Sequence, residues 1–297
     1  MSVDHYRFTV GEFDCYSFSD GHFNYPLDVF FANADRPALE RALRQRDLPL
    51  EHVTTPYACL LVDGGGQRVL VDMGAGILGP DEVHLFPSVD NSNSVAGRIV
   101  PNMRAVGIKP ESIDKVIITH AHPDHVGGAL DAQGNLHFPN ARYFMAEAEW
   151  AFWMSEAASE RVSANLLRIA RKNLEPLQEQ MSFVGHDFEI ASGVRTVATY
   201  GHTPGHLAVS VTSNGERLLH ISDVALHPLH LEHPAWYPVL DLDPAQARAT
   251  RRRVMDRAAA QETLLFAHHF APFPNMGYVR KVGKGWRWAP IDSHRRP

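Results

Sequence analysis

Within Thr119–Gly128, THAHPDHVGG, three histidines and an aspartate occupy six consecutive positions. Packing gives no reason to collect them, because charged and ionisable side chains are poor core residues and aspartate is a poor strand former. Pro123, Gly127 and Gly128 permit a sharp turn, and the apolar run KVIIT ahead of the motif reads as a strand. A strand therefore stops where several lone pairs converge. The fold must deliver polar loops to one edge of a buried sheet.

His120 and His122 are two residues apart, so in an extended segment their side chains point the same way, and Asp124 and His125 follow as the chain turns. Imidazole nitrogen and carboxylate oxygen suit zinc and related divalent ions. Distant segments add more donors at other predicted strand ends. His206 closes GHTPGH, Asp223 ends LLHISD, and His268 or His269 ends TLLFAHH. Seven donors are too many for one tetrahedral ion and suit two ions sharing a carboxylate.

The 297 residues are read as a single domain with an N-terminal extension over about residues 1–50. His5 to Ser19 reads as a strand and DGHFNYP as a turn. Asp35 to Arg46 reads as a helix with Asp35 as N-cap and Pro37 in its first turn. YACLLVD and QRVLVDMG flank three glycines as a hairpin, and Gly74 to Ser94 is a long loop. Further helices are expected over Val95–Val106, Glu147–Ala158, Glu160–Gln180 and Pro244–Ala260, with Pro176 bending or ending the third. Strands are expected over Val194–Thr199, Leu207–Thr212, Arg217–Ser222 and Thr263–Ala267. The two halves repeat a pattern of strands, helix and strand, which suits an α+β arrangement of two mixed sheets face to face with helices outside.

Composition removes several classes of function. A net charge of −6 argues against a dedicated nucleic-acid surface, and 44% hydrophobic with 21% charged residues is ordinary for a soluble globular protein. Cys15 and Cys59 have no metal-site spacing and suggest no disulfide framework. The opening MSVDHYRFTV lacks a signal-peptide pattern, and no run approaches the ~20 apolar residues of a membrane span. A cytoplasmic protein without membrane or nucleic-acid partners is expected, with a homodimer left open.

HAHPDH matches the HxHxDH signature of the metallo-β-lactamase superfamily, and the resemblance runs from YACLLVD to the C-terminal histidine pair. DVALHPLH, DLDPAQARATR and HHFAPFPNMG resemble more narrowly the branch that includes methyl parathion hydrolase and N-acyl homoserine lactonases. The resemblance implies an αββα sandwich and a dinuclear site. His120, His122 and His206 are assigned to one metal, Asp124, His125 and His268 to the other, and Asp223 to the bridge. His268 is preferred to His269 because it follows the strand directly. The ions are expected to be zinc, with manganese, iron or cobalt as alternatives.

The reaction so implied is hydrolysis of an ester-type bond by a hydroxide held between the ions, with Asp124 orienting it. The substrate is a small apolar aryl ester, lactone or phosphotriester. The alternatives are a dedicated quorum-signal lactonase and a non-hydrolytic metal-binding or redox member of the fold. Lactonases of the branch often place a tyrosine three residues after the bridging aspartate, where this chain has Leu226. His227 is the nearest polar substitute and is expected to help the leaving group, with aryl esters ahead of alkyl lactones. Phe30, Phe31, Trp150, Trp153, Trp236, Phe270 and Phe273 are candidate pocket aromatics, although Trp150, Phe152 and Trp153 are read first as core. His202 is read as orienting the TPGH turn, His227, His230 and His233 as a loop, and Arg251–Arg253 as a solvated face.

Overall fold

The computed structural model describes residues 4–77, 79, 86 and 88–292. Among the described residues, fourteen strands make two seven-stranded sheets. The first contains β1 (His5–Val10), β2 (Phe13–Pro26), β3 (His52–Gly64), β4 (Gln67–Val71), β5 (Lys115–Ile117), β6 (Arg142–Ala146) and β7 (Met181–Val184), adjacent in that order. The second contains β8 (Glu189–Ala191), β9 (Val194–Ala198), β10 (Leu207–Ser213), β11 (Glu216–His220), β12 (Leu264–Phe266), β13 (Met276–Val282) and β14 (Gly285–Pro290). β1 to β4 are antiparallel neighbours, whereas β4 to β7 pair in parallel. In the second sheet the parallel pair is β11 with β12.

The run YACLLV shows why the sheets stack. In β3, Ala58, Leu60 and Val62 pack between the sheets with Leu207, Val209 and Val211 of β10. The alternate residues Cys59 and Leu61 join the opposite cluster with Met103 and Trp153 from the helical layer. A strand covered on both faces reads as continuous apolar sequence, and all six residues are buried.

Expected and observed elements differ in several places. The N-terminal strand turns at Gly11 into β1 and β2, and β2 then continues through the expected DGHFNYP turn to Pro26, with a register shift between Ser19 and Gly21. The early helix spans Arg36–Arg44, where Asp35 accepts from the Ala38 N–H as foreseen. Pro176 stands where the helix Ala164–Leu174 gives way to a tight 3-10 segment. Part of the expected Gly74–Ser94 loop lies outside the described residues.

Strand direction collects the polar loops. Asp72 follows β4, His120 follows β5 closely, Asp223 follows β11, and His268 and His269 follow β12. The turn joining β9 to β10 carries His202 and His206 to the same edge. The sheets are tied there by Leu207 N–H donating to the Thr119 carbonyl at 3.0 Å.

Candidate metal centre

HAHPDH leaves extended structure at His122 and enters the short helix Pro123–Val126, with proline in the first turn and Asp124 behind it. Gly127 and Gly128 follow because nothing larger fits. A Cβ at Gly128 would lie 2.0 Å from the Met73 carbonyl oxygen, and one at Gly127 would lie 2.1 Å from that of Ala75.

Among the described residues three buried groups of potential ligands result, and two of them flank Asp223. His120, His122, His202 and Asp223 form the first, and Asp124, His125, His268 and His269 the second. In the first, His122 Nδ1 lies 3.0 Å from His120 Nε2 and 2.9 Å from His202 Nε2, while Asp223 Oδ2 is 3.2 Å from His202 Nε2. In the second, Asp223 Oδ1 is 3.3 Å from both His125 Nε2 and His269 Nε2. His269 Nε2 is also 3.3 Å from Asp124 Oδ2. Asp223 thus presents one oxygen to each group.

The donor set fits two cations. His122 Nδ1 carries at most one proton and cannot satisfy two facing nitrogens at once. Among the described residues, His125 Nε2 and Asp223 Oδ1 are buried and have no hydrogen-bond partner. A divalent ion in each group would convert these opposed lone pairs into ligands.

Supporting contacts fix which nitrogen faces inward. His125 Nδ1 donates to Asp72 at 2.8 Å, His202 Nδ1 donates to Asp241 at 2.8 Å, and His269 Nδ1 donates to the Pro56 carbonyl at 3.2 Å. Each leaves Nε2 for the centre, the usual arrangement around metal-binding histidines. Asp241 is held by Arg251 at 3.4 Å, and Arg251 also donates to the Val224 and Trp236 carbonyls. Arg251 is fully buried, not part of a solvated face.

Glu149 escaped the sequence reading altogether. Its carboxylate accepts from Ala121 N–H, Trp153 Nε1–H, Thr203 Oγ1–H and Gly205 N–H, at 3.1, 2.7, 2.7 and 2.9 Å. One buried side chain therefore joins the HAHPDH turn to the HTPG turn. Nothing in EAEWAFWM singles it out, because Glu147 stands two residues ahead of it in the same first turn.

The protonation pattern follows burial and charge. Burial, reinforced by neighbouring histidines, holds His120 and His122 well below their ordinary values, so they are neutral donors of lone pairs. Burial opposes charge on Asp223, but His269 and then His125 outweigh it and keep this carboxyl well below its ordinary range.

Three sequence-based assignments need correction or refinement. His206 lies outside both groups: its Nδ1 meets Thr199 Oγ1 at 2.8 Å, and its Nε2 accepts from Asp223 N–H at 3.1 Å. His202 stands in the first group instead. His268 and His269 both enter the second, but His268 also belongs to a group with Asp72 and His220, whereas His269 alone has an anchored Nδ1 and an Nε2 facing both carboxylates. His227 caps the helix Pro228–Glu232, with Nδ1 accepting from Leu229 N–H at 3.1 Å and its ring edge-on to Phe31. It is absent from the described wall of the cavity above Asp124 and Asp223.

That wall consists largely of Phe23, Tyr25, Phe30, Tyr57, Phe86 and Leu226, with Lys172 and Asn173 as polar additions. Of the expected pocket aromatics, only Phe30 is among the described lining residues. Trp153 is buried in the helical layer against His122, and Phe270 packs on Trp288.

The sequence pattern of the Metallo-beta-lactamase superfamily matches residues 53–269. An N-acyl homoserine lactonase from a Bacillus species is 26% identical over 254 residues, covering 81% of this chain and 92% of its own. A probable metallo-hydrolase of Mycobacterium tuberculosis is 30% identical over 189 residues, covering 57% and 56%. Among solved structures, AidC, described as a dizinc quorum-quenching lactonase in complex with a product, superposes with a TM-score of 0.86 at 24% identity, covering 97% of each chain.

Proposed function

The chain belongs to the metallo-beta-lactamase superfamily, and from that premise we propose that it hydrolyses the ring ester of lactones with an apolar acyl chain, N-acyl homoserine lactones being the class its relatives suggest. It is a dinuclear metal-dependent hydrolase, and zinc is the ion named for its structural neighbour. The single observation that carries the reading is Asp223, whose two oxygens face two separate clusters of buried imidazoles. His120, His122, His202 and Asp223 would hold one ion, and Asp124, His125, His269 and Asp223 the other.

Bound there, the ions would lower the pKa of water toward 7 and would polarise an ester carbonyl. The chain supplies orientation and exclusion of water. Asp124 lies at the cavity wall and can accept a hydrogen bond from the attacking water. Phe23, Phe30, Phe86 and Leu226 offer apolar surface for an acyl chain, while Lys172 and Asn173 give the same wall hydrogen-bonding groups. Leu226 and Phe30 also belong to the hydrophobic cluster behind the wall, which keeps that surface fixed.

A comparison of kcat/KM for N-hexanoyl homoserine lactone, a nitrophenyl ester and a β-lactam tests the proposal on protein loaded with zinc. The lactone is expected to exceed the β-lactam by about 100-fold or more, since only the pocket discriminates between them. A β-lactam turned over as fast as the lactone would refute the reading.

A further inference from the structure

Tyr25 of β2 and Tyr57 of β3 bring their hydroxyl oxygens to 2.6 Å from each other. They are not opposite residues: Tyr25 pairs with Val53 and Tyr57 with Gly21. The rings must lean along the strands for the hydroxyls to meet. In an O–H···O contact one proton bridges the oxygens and the other remains free to donate. Among the described residues, neither hydroxyl has another hydrogen bond, so this second proton lacks a protein acceptor. Both tyrosines line the cavity that contains Asp124, Asp223 and His269.

A phenol is protonated at neutral pH and so can donate. The Tyr57 ring also packs edge-on against His269 at 5.6 Å, which ties the pair to the centre. Aromatic neighbours restrain Tyr25: Phe30 at 5.0 Å, and Phe23 and Phe86 at 5.2 Å each.

Hydrolysis of an alkyl ester builds charge on a poor leaving group, which a hydrogen-bond donor at this wall would stabilise. Water adds to the acyl carbon, the acyl C–O bond breaks, and its electron pair moves to the ring oxygen. The water proton ends on that oxygen, giving a hydroxy acid from lactone and water. Until it arrives, an alkoxide must be stabilised, whereas a nitrophenolate needs little help. Leu226 cannot donate, and His227 is turned to the helix cap.

Resting on the lactone reading above, we infer that Tyr25 is a catalytic residue whose hydroxyl donates a hydrogen bond to the departing ring oxygen, and that Tyr57 is the positioning residue donating to Tyr25. A phenol that accepts one hydrogen bond is a stronger donor of the next. Tyr25 begins and ends the cycle protonated, so no further reactant is required.

The test compares unaltered holoenzyme with Tyr25→Phe and Tyr57→Phe, each with metal content measured, on N-hexanoyl homoserine lactone and on phenyl butyrates of graded leaving-group pKa. Tyr25→Phe should lower kcat on the lactone about 100-fold, the usual effect of losing one oxyanion donor. It should leave the nitrophenyl ester nearly unchanged and steepen the dependence of rate on leaving-group pKa, with metal content intact. Tyr57→Phe should show the same pattern more weakly, and it serves as the second variant if Tyr25→Phe does not retain its metal. An equal loss on all substrates, or no loss on any, overturns the assignment. If the unaltered enzyme does not open lactones, that reading fails by itself, and the phenyl ester series still decides Tyr25: a steepened slope supports its role and an unchanged slope removes it.

Discussion

The two histidines of GHTPGH differ in where their second nitrogens go. His202 is oriented through Nδ1 by Asp241 and keeps Nε2 for the centre, whereas both nitrogens of His206 are engaged, one by Thr199 and one by the Asp223 backbone. His202→Ala is therefore expected to lose one metal equivalent and nearly all turnover. His206→Ala should retain both metals and lose activity only through a displaced Asp223, a contrast that metal analysis on the purified variants reads directly. The same reasoning ranks the doubled histidines: His269→Ala should lose a metal that His268→Ala keeps, and the reverse ranking would exchange their roles. HAHPDH was legible because four donors share one turn. The later ligands were harder to read because adjacency to a strand does not say which ring nitrogen is free, and a residue such as Glu149 announces nothing in sequence. Removing its carboxylate in Glu149→Ala leaves four buried donors unpaired, and unfolding should become easier by roughly 3 to 5 kcal/mol, measurable by chemical denaturation.

Among the elements, the glycines behind the motif carry a sharper constraint than its histidines do. Gly128→Ala sets a methyl group 2.0 Å from the backbone oxygen of Met73, and backbone cannot yield as a flexible side chain can. This variant should melt well below the unaltered protein and bind metal poorly, as a thermal scan with and without added zinc would show. The N-terminal segment was read as an extension, yet β1 and β2 pair with the first sheet and place Phe8, Val10, Phe13 and Cys15 in the inter-sheet core. Their mixed turn-forming sequence, with Asp20, Gly21 and Pro26 inside or ending β2, hid a long strand that tertiary pairing enforces. The helix Pro244–Ala260 could be read to the residue because an aspartate cap and a proline begin it. The short strands β6, β7 and β8 were not read from the sequence, whereas β5 and β12, which are no longer than these, were legible because each runs as an apolar stretch into a histidine.

Across the whole molecule, the two sheets act as a scaffold that brings chain segments far apart in sequence to one edge. The doubled pattern of strands and helices made this architecture readable, because each half carries its ligands in loops that leave the strands. The cavity was not readable in the same way: its aromatic wall comes from β2, β3, the helix Leu27–Phe30 and Phe86, all ahead of every metal-ligand motif. Asp223 joins these parts, and the account stands or falls on its bridging two ions. The direct measurement is lactone turnover by metal-stripped protein as zinc is returned in steps, with bound metal determined at each step. The account predicts that turnover saturates at two equivalents per chain and that Asp223→Ala never reaches it. Saturation at one equivalent, or full turnover in Asp223→Ala, would contradict the dinuclear centre.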